Sequence, residues 1–281
     1  MNSKIVFAPI LALLACSAQA AMVWQPAPAK KAPQASAGAH AGHGAHGGGK
    51  AFVLQGSVSG DSRAQAELWL PTRVRRPLSV DDDGNVSVMG TGINSFHLLY
   101  AKREESAREE VAMRYLYLQG KPIEVSPSEL VNAPKAALDI TPTPLTREHQ
   151  RYLSLKPVQY LVRFHGEPLA QQAIQLTTTN GSKLSAITDM NGYVTVELPD
   201  DFTDVQDGRS NNRPADFTIA TSMVDDGRTY HTSVSAAYYV SPTHWQSFSG
   251  GLLAMFAGAI SGLVVLKRSR NNSSAQSAGE A

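Results

Sequence analysis

Cysteine is almost absent from this chain, whose 281 residues contain only Cys16. A single cysteine excludes an internal disulfide framework and every metal site built from several thiolates. The chain also has no large excess of positive or negative charge, because 25 Lys and Arg balance 24 Asp and Glu to a formal net charge of +1. Without a basic surplus, the chain lacks the electrostatic footprint of a nucleic-acid-binding protein. Any catalysis or metal binding must therefore use histidine, carboxylates, hydroxyls or the backbone.

Motifs that carry catalysis are missing as well. The sequence contains no phosphate-binding Gly-Lys-Ser/Thr loop, no dinucleotide-binding fingerprint and no His-Glu-x-x-His zinc motif. The segment Gly56–Gly60 has the glycine spacing of a nucleophile elbow, but Val58 stands where the nucleophilic serine would be. We therefore predict that the chain is not an enzyme.

The first 20 residues have the pattern of a signal peptide. Lys4 precedes a short apolar stretch, and Ala18–Ala20 form a small-x-small cleavage site. The stretch is shorter than the ~20 residues that a helix needs to cross a bilayer. An alternative interpretation takes Leu13–Cys16 as a lipobox, which would make Cys16 a lipidated N-terminus. Both interpretations place the folded part outside the cytoplasm.

A longer apolar run lies near the other end of the chain. Residues 248–266 carry no charge, and a helix of that length, at ~1.5 Å per residue, matches the hydrocarbon thickness of a bilayer. Basic residues follow directly from Lys267, and Trp245 precedes the run. Positive charge marks the cytoplasmic flank. The pattern predicts one transmembrane helix in a bacterial inner membrane, with residues 267–281 in the cytoplasm and the large domain in the periplasm.

Small residues recur every four positions along this predicted span. They are Gly250, Ala254, Gly258 and Gly262. Such a stripe lets two helix backbones approach closely, so these residues are candidates for association with a transporter subunit or with a second copy. The alternative is that glycine and alanine are simply common in membrane spans.

Residues 21–50 are rich in proline, glycine and alanine. A segment of this composition cannot bury enough apolar surface to offset its ordering entropy, which predicts a disordered tether. The tether contains three histidines at a spacing of three, His40, His43 and His46. Imidazoles separated only by Ala and Gly can converge on one Ni, Co, Cu or Zn ion, so these are the first candidate metal ligands. The alternative is a solvated spacer.

The body of the chain has the pattern of an all-β fold. Short runs rich in Val, Ile, Thr, Tyr and Phe are separated by Asn-Gly and Asp-Gly turns. Such runs, spaced roughly eight to twelve residues apart, are typical of β-sandwiches. A Pro-rich break at Thr141–Pro144 separates two predicted sandwich halves, 51–140 and 145–240, which we interpret as Ig-like or transthyretin-like.

One segment of the body favours a helix. In Lys102–Val111, Glu104 and Arg108 stand at i,i+4, the spacing of an ion pair on a helix surface. The pattern predicts a short helix whose charges form a solvated face.

Two histidines on predicted strands are further candidates for binding a metal. They are His97 and His231. A lone strand histidine is more often a surface or hydrogen-bonded residue than a ligand, because metal ligands must converge in space. These two are therefore weaker candidates than the tether histidines.

Four motifs stand in order along the body. They are Ala66–Pro71, Leu138–Pro142, the strand and turn Val162–Leu169, and the turn Thr188–Gly192. Together they resemble the periplasmic component family associated with nickel and cobalt uptake, over about residues 51–245. Members of that family often carry a histidine close to the first strand, whereas here the histidines lie in the tether.

The resemblance implies a membrane-anchored periplasmic accessory protein that binds a transition metal or passes it to a membrane transporter. The alternative function is a structural or interaction module that docks another envelope protein without a metal. The first function requires the tether histidines as metal ligands, whereas the second does not.

Overall fold

The computed structural model describes residues 22–28, 49–56, 58–59, 62–146, 150–246 and 255–262. Strands dominate this part of the chain, because alternating apolar and polar residues are bounded by Gly, Asn and Asp turns. The all-β prediction is confirmed. The strands are β1 (Val23–Pro26), β2 (Lys50–Gln55), β3 (Val58–Ser59), β4 (Ser62–Arg63), β5 (Gln65–Trp69), β6 (Arg75–Leu78), β7 (Asn85–Val88), β8 (Gly92–Glu105), β9 (Arg108–Leu118), β10 (Gly120–Pro122), β11 (Leu138–Pro142), β12 (Tyr152–Leu153), β13 (Pro157–Phe164), β14 (Glu167–Pro168), β15 (Ala173–Thr178), β16 (Lys183–Ile187), β17 (Tyr193–Glu197), β18 (Ala215–Asp225) and β19 (Arg228–Tyr239).

A ten-stranded sheet forms the centre of the body, with the main order β16-β15-β18-β19-β9-β8-β5-β6. Two further strands join this sheet outside the main order, since β10 pairs with β8 and β12 pairs with β19. Strands β19 and β9 run parallel, with Val234 opposite Met113. Since β9 lies in the first predicted half and β19 in the second, this pair joins strands of both halves in one sheet.

Two smaller sheets cover the opposite faces of the large one. On one face, the four-stranded sheet of β11, β13, β14 and β17 packs against Val111 and Met113 of β9. On the other face, the three-stranded sheet of β1, β2 and β7 packs against Ala112 and Leu116. Successive side chains of a strand point to opposite faces, so one strand contributes to both apolar cores. We refer to these as the first and second core.

Strand β1 corrects part of the predicted tether. Residues Val23–Pro26 pair antiparallel with β2, and Trp24 is 0% exposed in the second core. The Trp24 indole Nε1–H donates to the Ala112 carbonyl at 3.1 Å. The prediction of disorder over 21–50 is therefore wrong for this segment, because a large aromatic side chain gains its burial from strands far away in sequence.

The predicted helix at Lys102–Val111 is wrong. The segment is the tip of a β-hairpin in which β8 ends at Glu105 and β9 begins at Arg108. An i,i+4 ion pair contributes only about 0.2–0.5 kcal/mol to a helix, less than two long paired strands gain from packing. The charges do not form one solvated face either, since Glu104 and Glu105 are exposed whereas Arg103 is 3% exposed and Glu110 is 0% exposed.

The turn at Asp189–Gly192 matches the sequence prediction. The Asp189 carboxylate accepts hydrogen bonds from the backbone N–H groups of Asn191 at 2.8 Å and Tyr193 at 2.9 Å. Gly192 has φ 77°, and a Cβ there would lie 2.7 Å from the Val162 carbonyl oxygen. Both the backbone conformation and the close approach require glycine.

Helix is scarce in the described residues. Helix α1 (Pro127–Asn132) begins after the cap Ser126, whose side chain accepts a hydrogen bond from the Ser128 N–H. Residues 255–262, inside the predicted span of 248–266, are also helical. Within the described ranges, no helix has both the length and the apolar character needed to cross a membrane.

Candidate functional site

Most of the predicted metal and membrane residues lie outside the described part of the chain. These are the signal peptide with Cys16, the tether histidines His40, His43 and His46, the stripe residues Gly250 and Ala254, and the tail 267–281. Gly258 and Gly262 lie in the helical stretch 255–262. Metal capture by the tether and helix pairing by the stripe therefore stay predictions.

His97 uses both of its ring nitrogens in contacts with the protein. It is 0% exposed on β8, with Nδ1 3.0 Å from the Ser95 carbonyl oxygen and Nε2 2.8 Å from the Thr91 hydroxyl. A carbonyl only accepts, so in the neutral ring Nδ1–H donates to Ser95 and Nε2 accepts from Thr91. Burial lowers the pKa of His97, and the charge of Arg76 lowers it further, against the raising effect of the Ser95 contact.

His231 lies elsewhere on the same face of the large sheet. It stands on β19 between Glu110 of β9 and Ser222 of β18. Burial lowers the pKa of His231. His97 is opposite Leu116, six positions along β9 from Glu110, so at about 3.4 Å per residue the two histidines are about 20 Å apart. They do not converge, and the described residues contain no group of three or more His, Cys, Asp or Glu placed to hold a metal ion.

The lowered pKa of His97 leads to a prediction about acid stability. Below pH ~6.5 the unfolded chain takes up a proton on this residue that the folded chain does not, so stability falls as pH decreases from about 7 towards the folded pKa. The loss is at most about 1.4 kcal/mol per pH unit for each such histidine. We expect His97→Gln to lose less stability than the wild type between pH 7 and 5.5 in urea titrations. Above pH 7.5 the free energy of unfolding should change with pH equally in the two proteins. An equal change in both pH ranges would contradict the lowered pKa of His97.

A buried ionic cluster occupies the hairpin tip on the second-core face. The Glu110 carboxylate, 0% exposed, forms ion pairs with both Arg103 and Arg108. Arg103 also donates to the Gly56 carbonyl oxygen at 2.6 Å. Strand pairing creates this arrangement, since Arg103 and Glu110 are register partners. A carboxylate shared by two guanidinium groups is a structural tie between β8 and β9.

A second ionic cluster lies on the opposite face of the same hairpin. Glu109 pairs with Lys102 at 3.1 Å and with Arg228 at 3.7 Å, and it accepts from the Ala137 N–H at 3.3 Å. Hydrogen bonds from Lys102 and Arg228 lower the pKa of Glu104 to about 2. These groups connect β8, β9 and β19 with the chain before β11. Sequence reasoning missed both clusters because it assigned the segment to a helix.

The edge of the large sheet at β16 has no partner strand on its outer side among the described residues. Strand β16 ends the ten-stranded sheet and, within the described residues, pairs only with β15. Its flanking hydrogen bonds run from Thr188 N–H to Gln172 O and from Thr178 N–H to Ser182 O, both at 3.0 Å. Antiparallel pairing alternates, so every second residue of β16 directs its N–H and C=O away from β15. These outward residues are Lys183, Ser185 and Ile187.

The two ends of the large sheet differ. At the β16 end, Ile187 is 64% exposed and Leu184 is 37% exposed. At the other end, β6 contains Pro77, which has no N–H to donate, and Arg75 lies 4.0 Å from the centre of the Trp69 ring. Proline and charged side chains on an edge strand oppose pairing with another chain. Strand β16 contains one charged residue, Lys183, and no proline, and of the two ends as described it is the one with exposed apolar side chains beside outward backbone groups.

Comparison with known proteins adds little. No known family profile matches the sequence, and no characterised protein matches it significantly. Among solved structures, the D0-D1 domain of intimin is 13% identical over 68% of this chain and 90% of its own, with a TM-score of 0.26. A Ca2+-stabilised adhesin with which an Antarctic bacterium binds ice is 13% identical over 69% and 44%, with a TM-score of 0.25. Salmonella alpha-2-macroglobulin reacted with methylamine is 11% identical over 69% and 14%, also at 0.25. Similarity at this level carries no argument about function.

Proposed function

We propose that this chain is a membrane-anchored, extracytoplasmic interaction protein. In this proposal its two Ig-like or transthyretin-like halves share the ten-stranded sheet, and the body docks an extended segment of another envelope protein along β16. The signal-peptide pattern of residues 1–20 and the apolar run 248–266 support the location. The open edge of the large sheet supports the docking.

The outward backbone groups of β16 carry this proposal. An extended peptide can add a strand to an exposed edge, and main-chain hydrogen bonds then supply affinity while alternate side chains supply specificity. Each hydrogen bond contributes about 0.5–1.5 kcal/mol, so the outward groups of Lys183, Ser185 and Ile187 offer enough for a reversible complex. The exposed Ile187 side chain adds an apolar contact beside them.

The test is photo-crosslinking in living cells with a benzophenone amino acid at position 187. We expect a discrete adduct, because the partner strand lies directly beside this residue. Ser185→Pro should abolish the adduct, since it removes an outward donor while leaving the β15–β16 hydrogen bonds intact. Ser185→Thr is the matched control and should crosslink like the wild type.

A probe at Val224 controls for random collisions, because this residue is 63% exposed and lies on β18, two strands away from β16. It should give no discrete adduct. The mass of the adduct shows whether the partner is another protein or a second copy of this 30.1 kDa chain. The proposal fails if position 187 gives no adduct, or if the adduct survives Ser185→Pro in a folded protein.

Nickel or cobalt handling is the second candidate function, favoured by the tether histidines at a spacing of three. The same photo-crosslinking assay distinguishes the two candidate functions. An interaction module should crosslink through position 187 unchanged after replacement of His40, His43 and His46 by alanine. A metal-dependent accessory should lose the adduct in that variant or when a chelator is added.

A further inference from the structure

A cavity of about 280 Å³ lies at the end of the body that leads into the apolar run 248–266. Arg151 and Arg209 line it together with Tyr239, Trp245 and other residues from the same end, and none of the lining residues is acidic. Basic groups on an aromatic wall, without a carboxylate among them, are suited to an anion.

The positions of the two arginines are set by the fold. The Arg151 guanidinium lies 4.2 Å from the centre of the Tyr239 ring, a cation–π contact that holds the arginine against this wall of the cavity. Arg209 begins the short 3-10 helix Arg209–Asn211. Within the described ranges, no carboxylate forms an ion pair with either arginine, and the nearby Asp200 pairs with His244 at 3.0 Å.

The predicted span places the cavity at the depth of lipid headgroups. Its wall includes Trp245 and Gln246, and the apolar run begins two residues later. Tryptophan and tyrosine concentrate at the membrane interface, where their rings sit among the headgroups. Arginine at the same depth extends its charge towards lipid phosphates while its apolar stem remains against the protein.

We infer that this cavity binds the phosphate group of an anionic phospholipid, with Arg151 and Arg209 as the phosphate ligands and Trp245 beside the glycerol and upper acyl chain. The inference rests on the membrane-anchored part of the proposed function and is independent of docking at β16. Bound lipid would hold the body in one orientation at the membrane surface.

The experiment is a fluorescence titration of the full chain in neutral detergent with dioctanoyl phosphatidylglycerol. Trp24 is 0% exposed and Trp69 is 2% exposed, so a change in emission reports on the half-buried Trp245. We expect a saturable blue shift. Since each basic residue near an anionic lipid contributes about a fivefold gain in affinity, Arg151→Gln and Arg209→Gln should each weaken binding about fivefold, and the double variant more.

The controls test whether the cavity binds the anionic lipid itself, rather than free phosphate or any lipid that partitions onto the protein. Arg213→Gln removes an exposed arginine that does not line the cavity, and it should bind like the wild type. Phosphatidylcholine of the same chain length should bind more weakly, and inorganic phosphate should compete poorly. The inference is overturned if the arginine variants titrate like the wild type, if both lipids bind equally, or if inorganic phosphate alone binds as tightly as the lipid.

Discussion

Replacing Glu110 with alanine is expected to lower the free energy of unfolding by about 3–5 kcal/mol. Glu110 is 0% exposed and neutralises Arg103, which is 3% exposed. Its removal leaves that guanidinium buried with no opposite charge, and the desolvation cost of the remaining charge dominates the loss. The measurement is urea unfolding of a chain ending at residue 246, followed by circular dichroism.

A matched control and a double variant make this prediction specific. Glu105→Ala removes an exposed carboxylate from the same hairpin tip and should change stability by less than about 0.5 kcal/mol. Arg103→Met combined with Glu110→Leu removes both buried charges, so it should be more stable than Glu110→Ala. Arg108 is 23% exposed and can turn towards water. A double variant less stable than Glu110→Ala would show that packing, rather than the unpaired charge, sets the loss.

Replacing Trp24 with alanine is expected to cost about 3–5 kcal/mol. The side chain is 0% exposed, and it stands with Phe52 and Leu54 in the second core. The substitution leaves a large cavity and removes the hydrogen bond to the Ala112 carbonyl. Strand β1 is also held to the large sheet by Ser235, whose hydroxyl donates to the Trp24 carbonyl oxygen at 2.7 Å.

Trp24→Phe separates volume from hydrogen bonding in the same urea assay. It refills most of the cavity but has no indole N–H, so its stability should lie between that of the wild type and that of Trp24→Ala. Gln25→Ala changes the neighbouring residue, which is outside the core, and should cost less than about 1 kcal/mol. A loss below about 1 kcal/mol in Trp24→Ala would mean that β1 does not cover the second core in solution.

The sequence predicted strands well wherever the evidence for them is local. Strands β13, β15 and β17, at Pro157–Phe164, Ala173–Thr178 and Tyr193–Glu197, are short runs of the kind that the sequence pattern predicts. Period-two alternation and the turn residues between the runs are contained in a few neighbouring positions. Nothing distant is needed to recognise them.

Strand β1 could not be predicted in the same way. Val23–Pro26 is four residues long, ends in proline and precedes a low-complexity stretch, so its composition indicates disorder. Its burial depends on β2 and on Ala112, which is 88 positions away. The candidate site shows the same limit, because an open edge exists only once the order of strands in the sheet is known.

By itself, the sequence determined the class of fold, the turns and the balance of charge, because propensity and periodicity act between neighbouring residues. Only the tertiary structure decided which strands pair, which edge stays open and which charges are buried. The parallel pairing of β9 with β19 is an example. Arg103 and Glu110 have charged side chains, so the local sequence favours exposure to solvent. They are buried because the hairpin places them opposite each other beneath a second sheet. Burial and pairing are long-range properties, set by contacts that no short window of sequence contains.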